Sequence, residues 1–262
     1  KIATLIMFGI TSMMDVVTDI GLLQLMFIWA VVIFASLLRS FTGFGFALTA
    51  VPVFSLLLSP TDAVVLSAAL TLCSNLLGVR TYWGVVPLRP MLPLVVMAII
   101  GTVLGTLLLS IISPQQFQIW AGVAVIVACV VLMSYKPSTY RVSPLLTKIT
   151  GLVSGLMNGA LAIPGPPMII YVMLTEPKPE RSRALLITFF LVSAAVALVS
   201  FGVAGFISEQ SFWYLLLAFP AMVLGDKLGF YLFLRFGGRL YRRIAITGLL
   251  AIGVTITLRA IL

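Results

Sequence analysis

The sequence of 262 residues contains no histidine, two cysteines and seven acidic residues. Without histidine, and with Cys73 and Cys129 far apart in apolar runs, no zinc or haem constellation forms at a recognisable spacing. The two cysteines read as small buried hydrophobes. Nothing resembles a phosphate-cradling loop, so ATP is not an evident energy source. Paired acid/base chemistry has few candidates when a single acid falls inside a span. No metal, cofactor or enzymatic activity is therefore expected. Charged residues make up 9% of the chain, against about 25% in a soluble domain.

What is present is apolar length. Hydrophobic residues account for 61% and mean hydropathy is +1.22. Several apolar runs follow one another, which a single cleaved signal peptide does not explain. The expectation is an all-α polytopic membrane protein. Basic residues outnumber acidic ones sixteen to seven, with a pI near 10.0. They fall in short loops between apolar runs, the positive-inside pattern, so the implied partner is a lipid bilayer and not a nucleic acid. Trp29, Trp83, Trp120 and Trp213 lie mostly near span ends and read as interface belts.

Two runs are interrupted. Gly21 to Leu38 is apolar, then Arg39-Ser40-Phe41-Thr42-Gly43-Phe44-Gly45 intervenes, then Phe46 to Leu58 resumes for only thirteen residues. A bilayer core needs about 20 helical residues, so the second piece is too short to span alone. In the second half, Leu145 to Met157 is broken by Asn158-Gly159-Ala160-Leu161-Ala162-Ile163-Pro164-Gly165-Pro166-Pro167 and restarts as Met168 to Leu174. Such breaks are tolerated in a membrane only where protein or a water-filled cavity surrounds them. A pair of them at corresponding positions points to a transporter binding site.

The remaining runs read as spans over 63–82, 91–112, 115–135, 184–206, 212–233 and 244–261. Ser59-Pro60-Thr61-Asp62 reads as a turn and N-cap, Trp83 to Pro90 as a loop, Glu176 to Arg183 as a charged loop, and Ser208-Glu209 as a turn. Gly101 and Gly105 make a small-residue face for close helix packing. Residues 1–20 fit either an interfacial helix or part of a span. Shifting the chain by 120 residues places Gly45 on Gly165 and Gly105 on Gly225. The organisation read from this is repeat 1 over 21–135, a cytoplasmic connector over 136–148 and repeat 2 over 149–262. Each repeat is a re-entrant broken hairpin followed by three transmembrane helices. With Arg80 and Arg89 in the cytoplasm, twelve of the sixteen basic residues fall on that side, while Asp15, Asp19, Asp62 and Glu209 fall outside. Three full spans per repeat invert the second repeat relative to the first, so the two tips can meet near the midplane.

The Gly43-Phe44-Gly45-Phe46 break with its short apolar sequel, Pro60-Thr61-Asp62-Ala63-Val64, and the restart at Gly151-Leu152-Val153-Ser154-Gly155-Leu156 resemble the sulfite exporter TauE/SafE (TSUP) family over Gly21 to Leu262. Family members are richer in glycine at both breaks than Ile163-Pro164-Gly165-Pro166-Pro167 is. The resemblance implies a secondary transporter in the bacterial inner membrane. Its cargo would be small sulfur-containing anions, sulfite or organosulfonates such as sulfoacetate, with export the expected direction. The alternatives are an anion channel and a non-transporting membrane assembly module. A homo-oligomer stays open.

An anion site needs donors in a low-dielectric place. Restarted half-helices at Phe46 to Ala50 and at Pro166 to Ile169 offer N-terminal N–H groups and a positive dipole end. Arg39 matches the oxygens of sulfite or a sulfonate, or else pairs structurally. Ser40, Thr42 and Asn158 are either donors to the anion or caps on the broken helix. With Gly43, Phe44, Gly45, Pro164, Gly165 and Pro166 they form the candidate substrate site. Asn75, mid-span, reads as a helix–helix hydrogen bond or a ligand contact. Asp226, beside Lys227, is the candidate for proton coupling, since leaving water disfavours a charged carboxylate; a structural ion pair is its other reading.

Overall fold

The structure, a computed structural model, describes residues 21–82, 84, 88–134, 143–176, 178–236, 254, 255 and 258. The segment 1–20, most of the connector, Trp83, the basic residues Arg239, Arg242 and Arg243, and nearly all of the span expected over 244–261 lie outside the described residues. Among the described residues the regular elements are helices: α1 (Leu22–Thr42), α2 (Phe46–Phe54), α3 (Pro60–Tyr82), α4 (Leu88–Leu109), α5 (Pro114–Ser134), α6 (Pro144–Leu161), α7 (Gly165–Thr175), α8 (Pro179–Val203) and α9 (Glu209–Phe236). Five of them contain stretches long and apolar enough to cross a membrane: Leu23–Ser40, Pro60–Val79, Arg89–Leu109, Arg181–Val203 and Glu209–Leu232. Large apolar side chains such as Leu23, Met26, Leu107, Val203 and Phe230 point outward, as a lipid-facing surface requires.

The helix ends follow local chemistry. Ser143 caps α6, its Oγ accepting from Leu146 N at 3.2 Å, and Pro144 occupies the first turn, where a missing N–H costs nothing. Ser59 Oγ likewise accepts from Asp62 N at 3.1 Å at the start of α3. Several boundaries differ from the sequence expectation. α6 begins inside the expected connector. α4 begins at Leu88 and takes Arg89 into its first turn. Glu209, read as a turn, opens α9, where an acidic group suits the helix N-terminus. α8 begins at Pro179, so Arg181 and Arg183 belong to a helix and not to a charged loop. α1 continues through Arg39, Ser40 and Thr42, because Arg39 finds partners that let a cation stay in the helix. At about 1.5 Å per residue its 21 residues reach roughly 30 Å, a full hydrocarbon thickness. Trp29 donates to Leu217 O at 3.0 Å and so joins α1 to α9, a role beyond an interface belt.

Two helix pairs are packed backbone to backbone. Leu94, Ala98 and Thr102 of α4 meet Gly151, Gly155 and Gly159 of α6 in rising order, so the pair runs parallel. Gly101 and Gly105 face the same partner from α4. α1 and α9 pair in the same way, with Ile33 against Gly225 and Leu37 against Gly229. In lipid, where apolar burial gives helices little reason to associate, such close contact supplies the packing energy. Between the pairs lies a core that includes Val51, Val65, Phe117, Ile163 and Phe201.

A methyl group at Gly159 would collide with the carbonyl oxygen of Thr102, whereas one at Gly78 would meet nothing within 4 Å. Gly159→Ala is expected to lose about 1–3 kcal/mol through overpacking, and Gly78→Ala to be neutral or slightly stabilising. Thermal unfolding of both variants in detergent checks this; equal midpoints would mean that the α4–α6 contact is looser than described.

Candidate functional site

The first break is made by glycine. Gly43 has φ 81° and Gly45 has φ 102°, both in the left-handed region. Gly43 N bonds Arg39 O at 2.8 Å and closes α1; Thr49 N bonds Gly45 O at 3.1 Å and opens α2. At the second break the left-handed position is Ala162, φ 54°, whose N–H bonds Asn158 O at 2.8 Å. Ile163 and Pro164 complete that break, and α7 starts at Gly165. The interruption is therefore shorter than the sequence suggested, and Asn158 sits within α6.

Both breaks open on one cavity of about 40 Å³, room for roughly three water-sized groups. Of the residues singled out from the sequence, Arg39, Gly43, Phe44, Gly45, Asn75, Asn158, Pro164 and Gly165 line it. Three others do not. Ser40 donates from Oγ to Asp226 O at 3.0 Å, and its carbonyl accepts from Arg183 Nη2 at 2.6 Å, so it ties α1 to α9 and α8. Pro166 is buried in the first turn of α7. Asp226 lies behind the cavity wall. The Thr42 side chain is outside the described residues. Sequence reasoning passed over Ala68 and Thr71 of α3 and Phe190 and Ala194 of α8, which also line the wall. Thr71 lies one turn before Asn75, and that spacing was the available signal.

Arg39 of α1 is 8% exposed and engages two other helices, α3 and α9. Its Nη1 lies 3.3 Å from Asp226 Oδ1 and also bonds Ser74 Oγ, which in turn bonds Asp226 Oδ2. Its Nη2 donates to Asn75 Oδ1 at 2.5 Å. The structural-pair reading of Asp226 thus has its partner, which sequence distance hid. Asn158 spends its amide hydrogens on Thr102 Oγ1 at 3.2 Å and Ser193 O at 2.9 Å, so it bonds helices together instead of offering donors to the cavity. Arg183, from the start of α8, lies over Gly43, with its Cγ 3.0 Å from where a β-carbon would stand.

The two restarted helices differ as donors. The first four N–H groups of a helix have no partner within it. At α2 these belong to Gly45, Phe46, Ala47 and Leu48, all on the cavity wall. At α7 the equivalent positions are Pro164, Gly165, Pro166 and Pro167, so glycine alone carries an N–H. The second half-helix expected from the sequence is present, but it brings one donor where the first brings four.

Removing one member of the Arg39–Asp226 pair leaves the other charged and part-buried. A fully buried pair broken this way costs roughly 3–5 kcal/mol; with 22% of the Asp226 side chain exposed, about 2–3 kcal/mol is expected for Asp226→Asn or Arg39→Gln. The double variant should cost at least about 1 kcal/mol less than the sum, measured as a double-mutant cycle of thermal unfolding. Strict additivity would mean that the charges do not interact. Ala162→Gly is expected to stabilise by about 0.5–1 kcal/mol, because relief of a left-handed alanine outweighs the added chain entropy of glycine; a lower unfolding midpoint would contradict the left-handed geometry.

Residues 28–256 match the model of a family described as Sulfite exporter TauE/SafE. Comparison with curated proteins returned no match, and neither did comparison with solved structures. The matched stretch runs from within α1 to beyond α9 and takes in both breaks and every residue on the cavity wall. The chain belongs to the sulfite exporter TauE/SafE family, a family of membrane transporters and not of enzymes.

Proposed function

We propose that this multi-pass membrane protein is a secondary transporter that carries a small sulfur-containing oxyanion, sulfite in preference to a longer sulfonate such as sulfoacetate, across the bacterial inner membrane, with export as the direction. The observation that carries the reading is the convergence of two helix breaks, far apart in sequence, on one small cavity with an arginine in its wall. A half-helix N-terminus and buried donors suit an anion stripped of water. A cavity of about 40 Å³ suits an ion of few heavy atoms.

The inverted-repeat reading, with alternating access about a site near the midplane, draws support from helix pairing. A shift of 120 residues carries α1 towards α6 and α4 towards α9, and the parallel pairs exchange partners between the halves: α1 with α9, α6 with α4. The corresponding helices α3 and α8 run in opposite senses. Val64 and Val65 share a core cluster with Ala197 and Phe201, whereas Thr71 and Asn75 share the cavity with Phe190 and Ala194. Opposed directions for corresponding helices are what an inverted second repeat requires.

Binding of sulfite, sulfate, sulfoacetate, taurine and acetate to purified protein, read as a thermal shift, tests the proposal. A ligand that binds the folded form raises the unfolding midpoint. Sulfite is expected to give the largest shift, and Arg39→Ala to lose it. No shift with any sulfur oxyanion, or an unchanged shift in Arg39→Ala, would overturn the assigned site.

A further inference from the structure

We infer that the anion's oxygens are read by Asn75 and Thr71 of α3, with Arg39 acting as a positioning residue behind Asn75. This rests on the transport reading above and names the donors within it.

A guanidinium offers only donors, so Arg39 takes the Oδ1 end of the Asn75 amide. The orientation of that amide is thereby fixed, and Nδ2 is the end left over. Asn75 is 1% exposed, lines the cavity, and its Nδ2 has no hydrogen-bond partner. A buried amide donor without a partner is costly, and a ligand oxygen that accepts from Nδ2 would remove that cost.

Thr71 gives an independent sign. Helical threonines ordinarily return their hydroxyl to the carbonyl four residues earlier. Thr49, Thr102, Thr106, Thr175 and Thr188 all do so here. Thr71 does not; its Oγ1 is buried, unpartnered and part of a residue on the cavity wall. Thr71 and Asn75 lie one helical turn apart on one face of α3 and present two donors to the same space. The residues that carry the N–H groups at the start of α2 line the same cavity. The second break adds only the Gly165 N–H, so the first half of the chain does nearly all of the reading. Two side-chain donors and the N–H groups of one helix start match a compact ion with three or four oxygens on one centre.

The test is isothermal titration of detergent-purified protein with sodium sulfite and with sodium sulfate, using sodium chloride as the ionic-strength control. Thr71→Val keeps the shape and removes the hydroxyl; it is expected to weaken binding about tenfold or more, the usual loss for a hydrogen bond to a charged group. Thr71→Ser is expected to bind within about threefold of native. Asn75→Asp turns the donor into a carboxylate and is expected to abolish binding. Because Asn75→Asp also alters the Arg39 network, Thr71→Val decides the matter if that protein fails to fold. Native-like affinity in Thr71→Val overturns the inference and leaves the transport reading standing. Absence of oxyanion binding by the native protein overturns both.

Discussion

A broken backbone inside hydrocarbon must be enclosed by protein, since every exposed N–H or C=O there lacks water to bond. This constraint accounts for much of the arrangement. The breaks at Gly43–Gly45 and Ala162–Pro164 line one cavity that α3 and α8 also wall. Beside these walls, α4 and α6, and α1 and α9, touch through glycine, leaving no side chain to hold those pairs apart. Close helix packing through glycine and backbone breaks enclosed by protein both answer the same lack of water.

Charge obeys the same logic. Arg39 sits in a stretch of α1 that would otherwise be apolar, and it is held there by Asp226, Ser74 and Asn75 from α9 and α3. An ion pair of this kind seldom adds much stability against an apolar alternative. Its yield here is orientation, since it fixes which end of the Asn75 amide faces the cavity. On the proposed transport reading, a cation already matched by a carboxylate would hold the anion less tightly than a bare one, which would suit a site that must release what it binds.

Much of the helical plan was legible because apolar length and glycine interruptions are local signals. α3, α4, α8 and α9 fall close to the runs that hydropathy marks out, and both breaks lie where glycine and proline cluster. The Gly101–Gly105 face was readable in the same way. What escaped were features set by partners distant in sequence. Arg39 and Asp226 are 187 residues apart, so nothing nearby announces the pair. Asn158 reads as a donor until Thr102 and Ser193 are placed beside it. Arg183 reads as part of a charged loop because its neighbours are charged, yet the helix takes it in and it closes over Gly43.

The two breaks are built differently. The same backbone device, a left-handed residue followed by a restarted helix, occurs in both. In the first half glycine makes the turn, and four N–H groups remain at the restart. In the second, alanine makes the turn and proline occupies three of the four equivalent positions. Proline rigidifies a helix start but carries no donor. The second restart thus closes the cavity with a stiff, apolar edge while the first presents polar groups. If the proposed anion sits here, a site polar on one side and dry on the other would recognise it mainly through one face and leave the opposite wall without hydrogen bonds to break. On the transport reading proposed above, the half that reads the anion and the half that moves past it need not be the same, and the distribution of proline between these breaks is what such a division would use.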